Sequence, residues 1–249
     1  MLNNIIVTAA NNIYYDTLCT LISSVHKHSY NFIDSIVVYD IGLDSNQKDM
    51  LSKISKVTIK TFDLKLPFAD YLNPKGHAYK CFCLYNEKQY ARNILWLDAG
   101  VMLLQNVEEI FNIIDKEDIF LVGDVHLNKN YTKKKCIEIM KATESEINDV
   151  QLSSGILGYK SKGKYQKLID EAFNYSTIAE CVLGDEENHR HDQSIYSILA
   201  SRFKCKKYDI DRYGYWTNSV RNLNTALYNN AVIFVHRRGH HDIKDIIYS

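Results

Sequence analysis

Asp98 stands inside an apolar run, Ile94-Leu95-Trp96-Leu97-Asp98-Ala99-Gly100-Val101-Met102-Leu103, and is followed by two residues with almost no side chain. An ionised carboxylate in such a setting must be hydrogen-bonded or coordinate a cation, because leaving it unpaired costs too much. Ala99 and Gly100 would let a bulky ligand approach the backbone closely. The expectation is an aspartate that faces a metal-bound or phosphate-bearing ligand; the competing reading is one that only satisfies loop amides. His236-Arg237-Arg238-Gly239-His240-His241-Asp242 is the densest group of potential ligands. A neutral imidazole beside a carboxylate suits Mn2+ or Zn2+, although the same stretch also reads as a solvated loop. Asp192-Gln193, preceded by His189 and His191, opens a predicted helix, where an aspartate is most simply an N-cap. Should that helix mouth face the same crevice, Asp192 and the positive end of the helix would lie near developing charge. Ser153-Ser154-Gly155 reads as a polar turn able to contact a hydroxylated ligand, or simply as a turn. Lys80, Arg237 and Arg238 are the cations suited to a diphosphate, though a lone lysine or arginine is usually a solvated surface charge.

These residues need strands and helices to position them. Asn4 to Thr8 reads as a buried strand, and Leu18, Leu21, Ile22 and Val25 give a helix ending near His28. Ser35 to Asp40 is a second strand, Gln47 to Ile54 a helix and Val57 to Phe62 a third strand. Pro67 and Pro74 bracket a turn-rich passage, and a helix over Ala78 to Tyr90 leads into the Asp98 strand. Helix character returns at Val107 to Ile114 and strand character at Ile119 to Val122. The polar run Lys129 to Asp149 reads as a surface excursion. Ile156 to Tyr159 is a strand, Tyr165 to Phe173 a helix, His191 to Leu199 another helix, and Ala231 to Val235 the last strand. Short repeats of strand, helix and strand predict an α/β fold with a mostly parallel sheet covered on both faces. Asp98 would then lie outside the carboxyl end of its strand, where such sheets bind ligands.

The chain has 249 residues, 46% hydrophobic and 24% charged, which is material for one domain over 1–249. Thirty basic and thirty acidic residues balance, so no global field recruits nucleic acid. Six cysteines, Cys19, Cys81, Cys83, Cys136, Cys181 and Cys205, form no CxxC pair and read as reduced thiols. No secretory signal and no membrane-length apolar stretch is present, so the expectation is a cytoplasmic protein, peripheral to a membrane at most.

The order of the motifs resembles the GT-A class of nucleotide-sugar-dependent glycosyltransferases over most of the chain. Thr8-Ala9-Ala10 with Tyr14, and Val38-Tyr39-Asp40-Ile41-Gly42-Leu43, are similar to its uridine-binding half. Trp96-Leu97-Asp98-Ala99-Gly100-Val101 resembles a DAG variant of its DxD motif. Leu152-Ser153-Ser154-Gly155-Ile156 is similar to its sugar-side loop, and His191-Asp192-Gln193 to its later helix start. Val235-His236-Arg237-Arg238-Gly239 resembles the terminal histidine strand of the glycogenin-like, family 8-like members.

The resemblance implies a GT-A fold, Rossmann-like, with residues 1–104 as the nucleotide half and 105–249 as the sugar and acceptor half. It implies a hexosyltransferase-type enzyme that moves a sugar from a nucleotide diphosphate sugar, a UDP-sugar by preference, to a hydroxyl of a saccharide, lipid-linked or protein acceptor. Asp98 and His236 would hold Mn2+ or Mg2+ against the diphosphate, the metal acting as a Lewis acid. Thr8, Ala9, Ala10, Tyr14, Asp40, Lys80, Ala99, Gly100, Ser153, Ser154, Gly155, Arg237 and Gly239 would line the donor. Asp192, Gln193 and Asp98 are the implied catalytic residues. Gly100 departs from the pattern, standing where a second carboxylate is expected. Without that ligand, either water and diphosphate complete a metal site, or Lys80 and Arg237 neutralise the charge with no metal. Two rivals remain: a non-catalytic nucleotide-sugar or glycan-binding module, and a metal-dependent hydrolase using Asp98, His189, His191 and the terminal histidines.

Overall fold

Strict alternation along the first strand sets the layers of the molecule. In β1 (Leu2–Ala10), Ile5, Val7 and Ala9 enter one apolar cluster while Ile6 and Ala10 enter another on the opposite face. The computed structural model describes residues 1–62, 65, 78–185, 187–215, 226–227, 230–236 and 244–249. Along the chain follow α1 (Tyr15–Ser29), β2 (Ser35–Asp40), α2 (Ser45–Ser52), β3 (Val57–Thr61), α3 (Tyr79–Glu87), β4 (Ala91–Leu97), β5 (Val101–Leu103) and α4 (Glu108–Glu117). Next come β6 (Ile119–Leu127), α5 (Lys134–Met140), α6 (Glu144–Ile147), β7 (Val150–Lys160), α7 (Gln166–Ser176), α8 (Ala179–Val182), α9 (His191–Arg202), α10 (Ile210–Tyr213) and β8 (Ile233–Val235).

The main sheet has the order β3-β2-β1-β4-β7-β6. The first four of these strands are parallel, β7 is antiparallel to β4, and β6 is antiparallel to β7. The sheet is therefore mixed around a parallel half. Because β2 lies on one side of β1 and β4 on the other, the chain reverses its direction of travel across the sheet between them. Such a switch point opens a crevice at the carboxyl ends of the strands. One face carries α1 and α4, packed on Ile6, Ile36, Val38, Leu95 and Leu97. The other carries α3, α7 and α9, packed on Ile5, Val7, Ile94 and Trp96.

The apolar run through Asp98 is two strands rather than one. β4 belongs to the main sheet, while β5 pairs with β8 in a separate two-stranded sheet. Between them the Val101 amide donates to the Asp98 carbonyl at 3.1 Å, closing a tight turn through Ala99 and Gly100. Ser153-Ser154-Gly155 is not a turn but the middle of β7, since the Asp98 amide donates to the Gly155 carbonyl at 2.9 Å. The polar run after Lys129 is likewise not a bare excursion: α5 buries Cys136 and Met140, and Arg202 pairs with Glu146 of α6 at 3.0 Å. Pro67 and Pro74 lie outside the described residues.

Candidate active site at the carboxyl end of the fourth strand

Period-two alternation continues past the end of β4, so Asp98 follows Trp96 toward the face covered by α3 and α9. The Trp96 indole donates from Nε1 to Asp98 Oδ1 at 2.6 Å. Lys80 reaches the same oxygen from the first turn of α3, with Nζ at 3.2 Å. Its ammonium also lies 3.1 Å from Asp192 Oδ2, on the first turn of α9, and donates to the Ser154 carbonyl at 2.9 Å. Four elements thus meet on one ammonium group. Lys80 and Asp192 are sealed, with side chains 4% and 5% exposed, while Asp98 at 45% faces outward.

The electrostatics follow from this burial. Desolvation alone would lower the pKa of the Lys80 ammonium, but the Asp192 and Asp98 carboxylates outweigh it and hold it above the ordinary lysine value. Lys80 therefore stays charged. The Tyr79 hydroxyl is pushed well up, first by burial and then by the same two carboxylates, and stays a neutral phenol. Asp192 is not the N-cap of α9; Arg190 takes that position and Asp192 is left to face Lys80. Its Oδ2 is buried without an aligned hydrogen-bond donor, the Lys80 contact being an ion pair.

Gly155 makes room for Asp98. A Cβ at 155 would lie 2.9 Å from Asp98 Oδ2, so the need for glycine there is spatial. His236 is fully buried just beyond β8, and its amide donates to the Gly100 carbonyl at 3.0 Å, which fixes it to the turn that carries Asp98. Thr8, Ala9 and Ala10 end β1 beside Asp40, the partner of Ala10 in the ladder with β2. Asp40 spends Oδ1 on the amides of Gly42 and Leu43, at 2.9 and 2.8 Å, and Oδ2 on Lys48 at 3.1 Å. Burial opposes the ionised form, but those partners win and hold its carboxyl below the usual range. Tyr14 precedes α1 near these strand ends. Ser153 lies next to Ser154 on β7, and the Gln193 amide reaches across to Gln151 at 3.1 Å. Arg237, Arg238, Gly239, His240 and His241 lie outside the described residues.

Two residues missed in the sequence belong to this site. Trp96 shares a strand face with Asp98, a two-residue spacing that was there to be read; Tyr79 had no such signal. His189 and His191 do not join them. His189 gives Nε2 to the Cys181 carbonyl at 2.9 Å and receives the Lys133 amide on Nδ1. His191 uses Nδ1 on the Val182 carbonyl at 2.8 Å. Among the described residues no three His, Cys, Asp or Glu side chains form a metal-holding group. Asp98 and His236 offer one carboxylate and one imidazole, fewer than the four or more donors a divalent cation takes, so the described side chains alone do not complete a site for one.

No family model and no curated protein matches the chain. Solved structures do match its fold. The apo structure of the bifunctional glycosyltransferase WbbM superposes with a TM-score of 0.62 at 11% identity, over 99% of this chain and 48% of that one. This chain thus spans about half of WbbM. The galactosyltransferase LgtC in complex with donor and acceptor sugar analogues gives 0.54 at 16% identity, over 93% of this chain and 85% of that one. An active-site mutant of LgtC gives 0.54 at 15% identity, with the same coverage. The chain is a single α/β domain with the GT-A fold that these glycosyltransferases share. Among the described residues no helix is long and apolar enough to cross a membrane.

Proposed function

We propose that this protein transfers a sugar from a nucleotide diphosphate sugar, a UDP-sugar by preference, to a hydroxyl of a saccharide, lipid-linked or protein acceptor. The observation that carries the reading is the Lys80 ammonium clamped between Asp98 and Asp192 at the carboxyl end of β4. In the transfer, the bond from the anomeric carbon to the diphosphate oxygen breaks and a bond to the acceptor oxygen forms, while the acceptor hydroxyl loses its proton. Negative charge grows on the departing diphosphate. Lys80 is already balanced by Asp98 and Asp192, so the clamp as a whole carries one net negative charge; held in place in this way, it is preorganised to face positive charge that develops at the anomeric carbon. Asp192 Oδ2, held by the Lys80 ammonium at 3.1 Å without an aligned hydrogen bond, has a lone pair left for a sugar hydroxyl. Residues 1–104 would hold the nucleotide and 105–249 the sugar and acceptor.

Asp98 and His236 are the residues that would hold Mn2+ or Mg2+, and a bound ion would supply Lewis-acid charge to the diphosphate. Lys80, balanced by Asp98 and Asp192, holds those carboxylates in place with or without it. Gly100 in place of a second carboxylate favours one alternative, a nucleotide-sugar-binding module without turnover. Thermal unfolding with UDP, UDP-sugars and other nucleotide sugars, each with and without Mn2+, tests the reading. A ligand at a hundred times its Kd stabilises the native state by about 2.7 kcal/mol. The expected result is a shift with a UDP-sugar and slow donor hydrolysis. Stabilisation without hydrolysis over long incubation points to the binding module, and no shift with any nucleotide sugar overturns both.

A further inference from the structure

Beside the Lys80 clamp lies a second polar cluster, built on Arg190, Asp124, Gln151 and Gln193. We propose that Arg190, acting through Gln151, fixes which end of the Gln193 amide a ligand meets, so that Gln193 offers its carbonyl oxygen to a sugar hydroxyl. The orientation stands on geometry alone, while the sugar hydroxyl rests on the transferase reading above.

A guanidinium can only donate hydrogen bonds, whereas a side-chain amide donates at one end and accepts at the other. Arg190 Nη1 gives one hydrogen to Asp124 Oδ2 at 3.1 Å and the other to Gln151 Oε1 at 3.2 Å. The guanidinium has little freedom to do otherwise. It lies over the Tyr131 ring, 3.6 Å from the centroid, and the Arg190 amide donates to the Tyr131 carbonyl and to Ser194 Oγ. Asp124 is itself held by His126 Nδ1 at 2.8 Å. Gln151, fully buried on β7, must therefore turn its oxygen toward Arg190. The reversed amide would set its NH2 against the guanidinium N–H groups.

That choice propagates. The same Gln151 oxygen accepts from Gln193 Nε2 at 3.1 Å, so the nitrogen end of the Gln193 amide is committed. Its Oε1 accepts no hydrogen bond from a described residue and is the end left for a ligand. The arrangement leaves Gln151 Nε2 buried without a partner. An amide free to choose would not accept that cost, and Arg190 is the group that imposes it. Gln193 directly follows Asp192, so the oriented oxygen belongs to the same helix mouth as the Lys80 partner. Arg190 and Gln151 are positioning residues; Gln193 is the one placed to touch ligand.

Three variants of the full chain separate this from a merely structural role. Gln151→Glu keeps an acceptor facing both Arg190 and Gln193 and removes the unpartnered NH2. Gln151→Leu removes the acceptor, and Arg190→Met removes the group that orients it. Solvent exchange of the Gln193 side-chain amide, followed by NMR, should be slow in the wild type and in Gln151→Glu. It should quicken roughly tenfold or more in Gln151→Leu and Arg190→Met, the scale set by losing one such hydrogen bond. Unchanged exchange in the last two variants overturns the proposal. In transfer assays the same pair should lose roughly tenfold in kcat/KM with the Kd for UDP unchanged, and Gln151→Glu should behave like the wild type. A Gln151→Glu variant as impaired as Gln151→Leu overturns the proposal in favour of Gln151 Nε2 as the group that matters. A wild type with no transfer or hydrolysis counts against the transferase reading, and the exchange rates then decide the orientation by themselves.

Discussion

The Lys80 ammonium lies 3.1 Å from the Asp192 carboxylate, and both side chains are almost wholly removed from solvent. Removing one member of such a pair leaves the other charge buried and uncompensated, at a cost of about 3–5 kcal/mol. Lys80→Met should therefore lower stability by that amount in urea unfolding, and adding Asp192→Asn should recover part of it. A loss below about 1 kcal/mol, the range of exposed pairs, would mean that water reaches the pair in solution.

Asp98 is the outward-facing member of the clamp, so its removal should separate chemistry from folding. Asp98→Ala is expected to abolish transfer and donor hydrolysis while circular dichroism and cooperative unfolding stay near the wild type. Near-normal turnover in that variant would sink the assignment of the site.

Gly155 tests the fit between strand and carboxylate. An added Cβ would meet Asp98 Oδ2 at 2.9 Å and Cγ at 3.4 Å, so the side chain or the strand must shift. Overpacking of this kind costs about 1–3 kcal/mol. Gly155→Ala should pay that cost in the wild-type background and little of it in Asp98→Ala, giving a coupling energy above about 1 kcal/mol in a double-mutant cycle. Additive effects would show that the strand, not the carboxylate, gives way.

His189 sets a pH dependence whose sign is fixed. Burial, the largest influence, pushes its pKa down to about 4, against 6.5 for a free histidine. The unfolded chain binds the proton more readily, so the stabilisation is complete above pH 6.5 and is lost as pH falls toward 4. Between pH 7.5 and 4.5 the loss amounts to roughly 2.5 kcal/mol. Burial lowers His26 and His28 as well, which adds to the same trend. Unfolding free energies across that range should fall with pH, and His189→Gln should flatten the slope. An equally steep curve in the variant would place the proton uptake elsewhere.

What could be read in advance was whatever local pattern controls. Ser35 to Asp40 is an apolar run with a polar end and folds as β2 with those bounds. Asp98 was legible because one carboxylate ends a buried strand. β7 was not, because its first half carries Gln151, Ser153 and Ser154, which look like a turn. Their partners lie far along the chain: Arg190 and Gln193 for Gln151, and Lys80 for Ser154. The lysine run before Cys136 hid α5 in the same way, since its two buried residues are outnumbered by solvated ones. Lys80 itself has the sequence context of any helix lysine, and its burial is decided by two carboxylates brought to it by tertiary structure.

The hydrogen bond from the Trp96 indole to Asp98 gives the site a built-in optical signal. Trp96 is one of two tryptophans in the chain, so a Trp216→Phe variant leaves a single emitter, its indole N–H on the outward-facing carboxylate and the Lys80 ammonium 5.5 Å from its ring. Any ligand that engages Asp98 or draws Lys80 away changes the field across that indole. Unlabelled protein can then be titrated by the colour of its own fluorescence, before any turnover has been found.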